Sequence, residues 1–290
     1  MRVKAYAKVN LALKIINKRE DGYHNIATIM DLISIYDVLH ISKCEDIIFT
    51  CSDNSLENED NLVVKAIYAL KDKCPVAKDY GVRIHLEKYI PYGAGLGGGS
   101  SDAAMTLVTL NKLWNLGLSF DELASIALSV GSDVPYFLLG GLGILTGTGE
   151  NVNYIDTNLK LYYLLILPGY HCHTKDVYEA NKIYSDDLEK VDNMISGFHT
   201  NNYDLVIDNM FNDLTDAAIS VNDYSPKISN IIDNVNNLII DNDIKAKAIM
   251  SGSGSTVIAA FNKKSDADFV YKKLKNQNYN VMLVTSKHNM

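Results

Sequence analysis

Residues 91–105 form a glycine-rich segment that reads Pro91-Tyr92-Gly93-Ala94-Gly95-Leu96-Gly97-Gly98-Gly99-Ser100-Ser101-Asp102-Ala103-Ala104-Met105. Glycine occupies five of the seven positions from Gly93 to Gly99. Because glycine tolerates positive φ and has no Cβ, such a loop can turn its N–H groups inward around an anion. A helix beginning near Ser100 would add its free N-terminal N–H groups and the positive end of its dipole. The stretch therefore predicts a phosphate-binding site.

Three other phosphate-binding motifs share part of this glycine spacing. The Walker A pattern fits from Gly93 to Gly98, but Gly99 stands where that motif requires lysine. The dinucleotide fingerprint G-x-G-x-x-G is present as Gly93, Gly95 and Gly98, yet the acids about 20 positions later belong to a helix capping box at 119–122 and not to a strand end. The protein-kinase loop has the same spacing, but no H-R-D or D-F-G follows it.

The whole pattern over residues 91–104, P-x-G-x-G-L-G-G-G-S-S-x-A-A, resembles the central motif of the GHMP kinases, which are small-molecule kinases named for galactose, homoserine, mevalonate and phosphomevalonate. The resemblance implies an α+β fold of two domains. The expected division is an N-terminal ribosomal-protein-S5-like ATP-binding domain over 1–155 and a C-terminal ferredoxin-like domain over 156–290.

The N-terminal segment alternates between apolar and polar residues over 2–13, which predicts a half-buried strand. Lys8 and Asn10 therefore project to the same side. Taken alone, Lys8 would be a solvated strand lysine. The string Ala5-Tyr6-Ala7-Lys8-Val9-Asn10-Leu11, however, resembles the first GHMP motif in its A-K-[IVL]-N-L form.

The segment Arg19-Glu20-Asp21-Gly22-Tyr23-His24 contains Asp-Gly, a turn signal that by itself predicts a hairpin with an exposed aromatic. The string R-x-D-G-Y-H resembles one branch of the GHMP kinases, the branch that acts on 4-diphosphocytidyl-2-C-methyl-D-erythritol. With the motifs on either side of it, three motifs occur in family order, and the resemblance extends from about residue 5 to residue 256.

The segment Gly131-Ser132-Asp133-Val134-Pro135-Tyr136-Phe137 can end a helix and turn the chain, and from the residues alone that interpretation is favoured. The string also resembles the family motif G-[AS]-D-V-P-[FVY]-F. In that resemblance Asp133 falls on the catalytic aspartate.

The second half is expected to form a ferredoxin-like β-α-β-β-α-β unit, with two strands over 245–261 around a turn at 250–256, a helix at 265–276 and a strand at 280–286. The turn resembles the third GHMP motif, whose glycines pack beside the phosphate loop. His171 and His173 form an H-x-H pair, but no third ligand is near in sequence, so no metal site is predicted there.

Capping and periodicity signals predict the helices between these motifs. Asp60 is expected to cap a helix over 61–73, and another helix is expected from Ser119 to near Gly131. Thr174 is expected to cap a helix in the second half, and residues 211–214 are expected to end another.

Composition limits the function class. With 290 residues, 47% hydrophobic and 21% charged, the chain is typical of a globular protein with one large or two ordinary domains. Its formal net charge of −8 argues against nucleic-acid binding. Cys44, Cys51, Cys74 and Cys172 form no C-x-x-C pair, so neither a disulfide framework nor a zinc site is predicted. With no apolar run of signal or membrane-span length, the predictions are a cytoplasmic location, no membrane partner, and a monomer or weak homodimer.

The resemblance implies ATP-dependent phosphorylation of the 2-hydroxyl of a cytidine diphosphate-linked methylerythritol, in the methylerythritol phosphate (non-mevalonate) route to isoprenoids. Transfer would be direct and in line, with Asp133 as base and Lys8 as its partner, and ATP and Mg²⁺ are the implied cofactors. No metal ligand is assigned. Substrate-binding candidates are Asn10, Tyr23, His24, Thr174 and Tyr178. ATP-binding candidates are Pro91, Gly93, Ala94, Gly95, Leu96, Gly97, Gly98, Gly99, Ser100, Ser101, Asn61, Leu62 and Lys88.

Two positions depart from some relatives: Met30 stands where an aromatic occurs, and Asp102 where asparagine occurs. Three alternatives remain at this point. The chain could be a GHMP kinase for another alcohol, such as mevalonate or homoserine, although those substrates offer no base to stack. It could be a nucleotide-binding regulatory protein without turnover, which would not need Lys8 and Asp133. A Rossmann oxidoreductase is excluded only by the missing acidic strand end.

Overall fold

The computed structural model describes residues 1–221 and 225–288. By contact density the chain separates into two compact units, each described by itself. The first unit comprises Met1–Ala7, Ile35–Tyr92 and Gly97–Gly140. The second comprises Lys8–Ser34, Gly93–Leu96 and Gly141–Met290.

Two long strands contribute residues to both units: β1 (Arg2–Lys18) and β2 (His24–Cys44). They form a hairpin whose turn is closed by a 2.8 Å hydrogen bond from the Arg19 N–H to the Tyr23 carbonyl. The prediction that β1 buries only one of its faces is wrong, because every residue from Ala7 to Leu13 is buried. Periodicity cannot reveal a strand that is covered on both faces when polar residues occupy one of them.

The first unit contains the second half of β2, two further strands and three α-helices. The second half of β2 pairs antiparallel with β4, from Val38 opposite Glu87 to Cys44 opposite Gly81, and β3 pairs parallel with β4. Helix α1 packs against both α2 and α3. The elements are β3 (Ile47–Cys51), β4 (Gly81–Glu87), α1 (Leu62–Lys73), α2 (Gly98–Leu113) and α3 (Phe120–Val130).

Helix caps in this unit confirm one prediction and correct another. At α3, Ser119 and Glu122 form the predicted reciprocal capping box, and Gly131 is the C-cap. At α1 the cap is Asn61, whose side-chain oxygen accepts from the Val63 N–H at 2.9 Å, and not Asp60. Either residue type can cap, so only the backbone geometry decides which of two neighbours does.

The second unit contains two groups of strands. The first half of β2 pairs antiparallel with β5, which pairs antiparallel with β6, and β8 lies parallel to β1. A separate four-stranded sheet has the order β11-β7-β10-β9. The strands are β5 (Leu142–Gly147), β6 (Asn151–Tyr154), β7 (Tyr162–Ile166), β8 (Phe211–Asn212), β9 (Ala246–Met250), β10 (Val257–Phe261) and β11 (Val281–Thr285).

The helices of the second unit are α4 (Thr174–Ala180), α5 (Glu189–His199), α6 (Tyr203–Asp208), α7 (Thr215–Ser220), α8 (Ser225–Ile240) and α9 (Lys264–Asn276). Helices α8 and α9 and the four-stranded sheet share one apolar core, which includes Val235, Phe261 and Val270. With α9 between β10 and β11, the strand order is that of the predicted ferredoxin-like unit, and the α+β prediction is confirmed.

Two local predictions in this unit are wrong. Residues 211–214 do not end a helix, because Phe211 and Asn212 form the short strand β8 beside β1. Thr174 is the first residue of α4, and the cap position belongs to His173, which makes no side-chain capping bond. In both places contacts with distant strands or side chains outweigh the local helix signal.

Two further observations bear on the protein class. Among the described helices, none combines the length and apolar character that crossing a membrane requires. All four cysteines lie in the described ranges and are free thiols.

Candidate active site

The glycine loop joins strand β4 to helix α2 and has the backbone that glycine permits. Gly95 and Gly97 have φ angles of 75° and 70°, a region that other residues rarely adopt. Gly97 is the N-cap of α2, and the first helical hydrogen bond closes from the Ser101 N–H to the Gly97 carbonyl at 2.9 Å. The N–H groups of the first turn therefore have no partner within the helix.

Helix α2 begins at Gly98, two residues before the predicted start at Ser100. The reason is space: an ideal Cβ on Gly98 would lie 3.0 Å from Ile90 Cγ2 and 3.2 Å from Lys88 Nζ. Glycine lets the first turn form against these side chains, so Gly98 and Gly99 belong to the helix and not to the loop. Ser100 is half-buried and Ser101 is buried.

Within the second unit, the first half of the loop packs against the turn at residues 251–256. The Thr256 hydroxyl donates to the Ala94 carbonyl at 2.6 Å. An ideal Cβ on Gly95 would lie 2.8 Å from the Ser251 carbonyl oxygen and 2.9 Å from that of Gly254. The prediction that this turn packs beside the phosphate loop is confirmed.

Lys8 and Asn10 lie in the same place. The Lys8 N–H donates to the Leu96 carbonyl at 2.9 Å, and the Lys8 Nζ donates to Asn10 Oδ1 at 2.6 Å. The Asn10 N–H donates to the Ser251 hydroxyl at 3.0 Å. An ideal Cβ on Gly252 would lie 3.5 Å from Lys8 Nζ. The first motif, the loop and the third motif thus bring a buried ammonium group to the glycine backbone.

The predicted base-binding residues separate into a buried and an exposed member. His24 is 6% exposed, and its ring lies 5.3 Å from that of Tyr178 and 6.1 Å, stacked, from that of Tyr184. Burial, with the nearby Lys18 charge, lowers the pKa of His24. Its Nε2 has no hydrogen-bond partner among the described residues. Tyr23 is 63% exposed, so the structure groups His24 with Tyr178 and not with Tyr23.

Other predicted residues have identifiable protein partners. The Thr174 hydroxyl lies 3.0 Å from that of Ser253, which joins α4 to the 251–256 turn. Asn61 caps α1, and its Nδ2 also donates to the Leu56 carbonyl at 2.9 Å. Leu62, the first residue of α1, is half-buried and lies 3.5 Å from an ideal Cβ on Gly99.

Lys88 is predicted to bind ATP, and the structure places its side chain between two buried carboxyl groups. Its Nζ donates to Asp102 Oδ2 at 2.9 Å and also to Asp37 Oδ2. Burial works against the charged form of Lys88, but the two carboxyl groups outweigh it and raise the pKa. Pro91 follows this cluster and enters the loop.

Asp133 belongs to the first unit, whereas Lys8 belongs to the second. Asp133 lies half-buried in the turn between α3 and a 3₁₀ segment, Pro135–Leu138. The prediction that this segment turns the chain is confirmed. The catalytic role of Asp133 stays a prediction.

Across residues 1–221 and 225–288, no three His, Cys, Asp or Glu side chains form a group that could hold a metal ion. The His171 and His173 rings lie 4.8 Å apart. Burial and the His173 charge lower the pKa of His171.

Sequence reasoning missed Asp37, Tyr184 and the serine hydroxyls of the 251–256 turn as neighbours of the predicted site residues. Tyr184 lies in an irregular segment after α4 and belongs to no motif. Asp37 contacts Lys88 from 51 positions away in the chain, so no local signal identifies it.

Comparisons with known proteins agree on one family. The family model for the GHMP kinases N terminal domain matches residues 61–141, and the model for the GHMP kinases C terminal domain matches residues 194–280. A Caldicellulosiruptor bescii protein named 4-diphosphocytidyl-2-C-methyl-D-erythritol kinase is 38% identical, covering 95% of this chain and 94% of the relative. A Bacillus cereus protein of the same name is 39% identical, covering 94% and 92%. A crystal structure of 4-(cytidine 5'-diphospho)-2C-methyl-D-erythritol kinase matches with a TM-score of 0.80 and 28% identity over 99% of both chains.

Proposed function

This chain belongs to the GHMP kinases, within the family of the 4-diphosphocytidyl-2-C-methyl-D-erythritol kinases, and we propose that it transfers the γ-phosphoryl group of ATP to the 2-hydroxyl of that cytidine compound. Such a reaction is a step of the methylerythritol phosphate route to isoprenoids. The observation that carries the proposal is the buried Lys8 ammonium held against the glycine loop and the 251–256 turn. The names of relatives that match nearly the whole chain support the acceptor.

The residues present fit a polyphosphate. The N–H groups of the first turn of α2, which have no partner within the helix, could bind an anion at the start of the helix. Gly95 and Gly97 allow the backbone to approach a phosphate closely. The Ser100 and Ser101 hydroxyls would supplement these donors. We place the phosphates of ATP along Gly93–Ser101, with Asn61, Leu62, Lys88 and Pro91 around the rest of the nucleotide.

Phosphoryl transfer requires in-line geometry, charge stabilisation and an acceptor for the hydroxyl proton. By its family motif, Asp133 is the proposed base, and it would take the proton late, as the new P–O bond forms. Lys8 is the proposed cationic partner, which would offset charge on the transferring group. Asn10 holds the Lys8 ammonium in place through its Oδ1.

For the acceptor, we assign the cytosine to His24 and a stacking tyrosine. The ring cluster of His24, Tyr178 and Tyr184 supports Tyr178 in that role, while the exposed Tyr23 would have to fold over a bound base. Asn10 and Thr174 would hydrogen-bond the methylerythritol and diphosphate parts.

Mg²⁺ remains part of the proposal as the ion that accompanies ATP. Since the described residues contain no three-ligand cluster, the ion would be held mainly by the ATP phosphates, a serine hydroxyl and water.

We also propose domains over 1–155 and 156–290, with a monomer or weak homodimer in the cytoplasm. The segment between β6, which ends at Tyr154, and β7, which begins at Tyr162, supports the boundary. Limited proteolysis that cuts first near residues 156–160 would support it, whereas first cuts elsewhere between stable fragments would contradict it.

The test is ADP release from Mg-ATP by the purified protein, with the cytidine compound, mevalonate or homoserine as acceptor. Turnover is expected with the cytidine compound alone. Turnover only with another alcohol would keep the kinase and reject the acceptor. ATP binding without ADP release for any acceptor would favour a binding module.

The roles of Asp133 and Lys8 need separate evidence. In Asp133→Asn, which keeps size and removes the base, kcat is expected to fall by about 10²–10⁴-fold. Asp121→Asn, an exposed aspartate in the first turn of α3, is the matched control. An Asp133→Asn variant that retains most of its turnover would overturn the assigned base.

A further inference from the structure

Three charged side chains of the first unit form a buried cluster at the start of α2: Asp37, Lys88 and Asp102. Asp37 is fully buried and Asp102 is 1% exposed. The Lys88 ammonium contacts both carboxyl groups and lies 3.2 Å from an ideal Cβ on Gly98. Two carboxyl groups face one ammonium, so the cluster carries a net charge of −1 when all three are ionised. That negative charge lies beside the helix terminus proposed to bind phosphates.

The cluster also connects the elements that shape the loop. Asp37 Oδ1 accepts from the Tyr89 N–H at 2.5 Å and the Ile90 N–H at 2.8 Å, which holds the segment before Pro91. Asp102 lies on α2, four positions after Gly98. Strand β2, the segment after β4 and the start of α2 are therefore tied together through Lys88.

Within this cluster, the surroundings of the Asp102 carboxyl group disfavour its ionised form. Burial raises the pKa of Asp102 to about 7; Lys88 opposes this rise and Asp37 adds to it. Its Oδ1 is buried with no hydrogen-bond partner among the described residues, which disfavours a full negative charge there.

Cys51 is a further titratable group that interacts with the charges of the cluster. Burial raises the pKa of the Cys51 thiol, which also interacts electrostatically with Lys88, Asp53 and Asp102. The buried residues of α1 and α3, the helices packed against α2, are all apolar. In the 3₁₀ segment Pro135–Leu138, which contacts α2, Tyr136 is the one residue with an ionisable side chain.

We propose that Asp102 is a positioning residue that takes up a proton from solvent when the polyphosphate of ATP binds at the start of α2. The inference rests on the proposed function, since it requires ATP at this place. An ionised Asp102 repels the phosphates through the helix terminus, whereas a neutral one keeps its link to Lys88 without that repulsion. No heavy-atom bond forms or breaks; one proton moves from the buffer to the carboxyl group. By linkage, bound ATP raises the pKa of the Asp102 carboxyl group, so ATP affinity falls as the pH rises through that pKa.

The test compares wild type with Asp102→Asn, which keeps the shape and is permanently neutral. Exposed Asp121→Asn is the control for loss of one negative charge. ATP dissociation constants are measured from pH 6 to pH 9, and calorimetric titration at pH 8 in two buffers of different ionisation enthalpy gives the protons taken up. At pH 8 a terminal phosphate with a pKa of about 6 is already ionised and contributes little.

Wild type and Asp121→Asn are expected to take up a fraction of a proton when they bind ATP at pH 8. After the pH dependence of Asp102→Asn is subtracted, both proteins are expected to bind ATP about three- to tenfold more weakly at pH 9 than at pH 6. Asp102→Asn is expected to show no uptake and a lower KM for ATP at high pH, with kcat little changed. Equal pH profiles and no uptake by wild type would overturn the inference while the kinase stands. If Asp102→Asn fails to fold, the wild-type uptake at pH 8 decides alone. No ATP binding by wild type at any pH would overturn the proposed function instead.

Discussion

The Lys8 ammonium donates a 2.6 Å hydrogen bond to the side-chain oxygen of Asn10, two positions further along β1. Asn10 in turn donates from Nδ2 to the Thr28 hydroxyl at 2.8 Å, and that hydroxyl donates to the Ala12 carbonyl at 2.7 Å. All three polar side chains are buried. The charge of Lys8 is thus held in one position, as electrostatic catalysis requires.

Replacing Lys8 by methionine should remove this charge and keep the length of the side chain. Since a positioned charge contributes several kcal/mol to a transition state, kcat is expected to fall by about 10²–10³-fold. Steady-state ADP release measures it. Lys4→Met, an exposed lysine on the same strand, is the control and should retain turnover. Activity of Lys8→Met within a few-fold of wild type would remove Lys8 from the mechanism.

A methyl group on Gly95 should disrupt the packing of the loop against the 251–256 turn. Gly95→Ala combines a φ of 75° with a Cβ 2.8 Å from a backbone oxygen, so the chain must shift. Gly117→Ala has a similar φ of 69° but open space around the Cβ, and it measures the backbone strain alone, about 1–2 kcal/mol. Thermal unfolding and ATP affinity should both suffer more in Gly95→Ala. Equal losses in the two variants would show that the close approach does not matter.

The two roles of Asn61 can be separated by substitution. Asn61→Ala removes the cap of α1 and should lower the free energy of unfolding by about 1 kcal/mol. Asn61→Ser can still cap, so its stability should lie close to wild type. If the amide also contacts ATP, both variants should raise the KM for ATP. A normal KM in both would leave Asn61 as a helix cap only.

An ion pair of the second unit, between half-buried His288 and fully buried Asp31, should make stability depend on pH. His288 Nε2 lies 3.2 Å from Asp31 Oδ1, and the Tyr163 hydroxyl donates to Asp31 Oδ2 at 2.6 Å. Burial lowers the pKa of His288, but its interaction with the Asp31 carboxyl group outweighs burial and raises the pKa above 6.5. Its stabilisation is therefore complete below pH 6.5 and lost as the pH rises through the raised folded-state pKa.

Burial raises the pKa of Asp31 as well, so its ionisation also makes folding less favourable as pH rises above 3.8. The unfolding temperature should fall from pH 6 to pH 9 more steeply in wild type than in His288→Gln. His199→Gln, an exposed histidine in the last turn of α5, is the control and should follow wild type. Parallel curves for wild type and His288→Gln would contradict the role of this pair.

The glycine loop and the capping box of α3 were predictable because each rests on signals within a short stretch of chain, and the ferredoxin-like unit was predictable from the order of strands and helices along the second half. Glycines at alternate positions permit a backbone that few other residues adopt, and Ser119 with Glu122 satisfies a helix end by itself. The three motifs in family order likewise predicted the kinase family.

The family, the fold class and the glycine-rich backbone of residues 93–99 therefore follow from the amino-acid residues alone. Tertiary structure decided that β1 is covered on both faces, that α2 begins at Gly98, and that Lys88 lies between two carboxyl groups. The physical reason is that burial and pairing depend on residues distant in the chain, such as Asp37, 51 positions from Lys88. Local helix and strand propensities do not depend on such neighbours. Burial among residues distant in the chain is also the main cause that raises the pKa of Asp102.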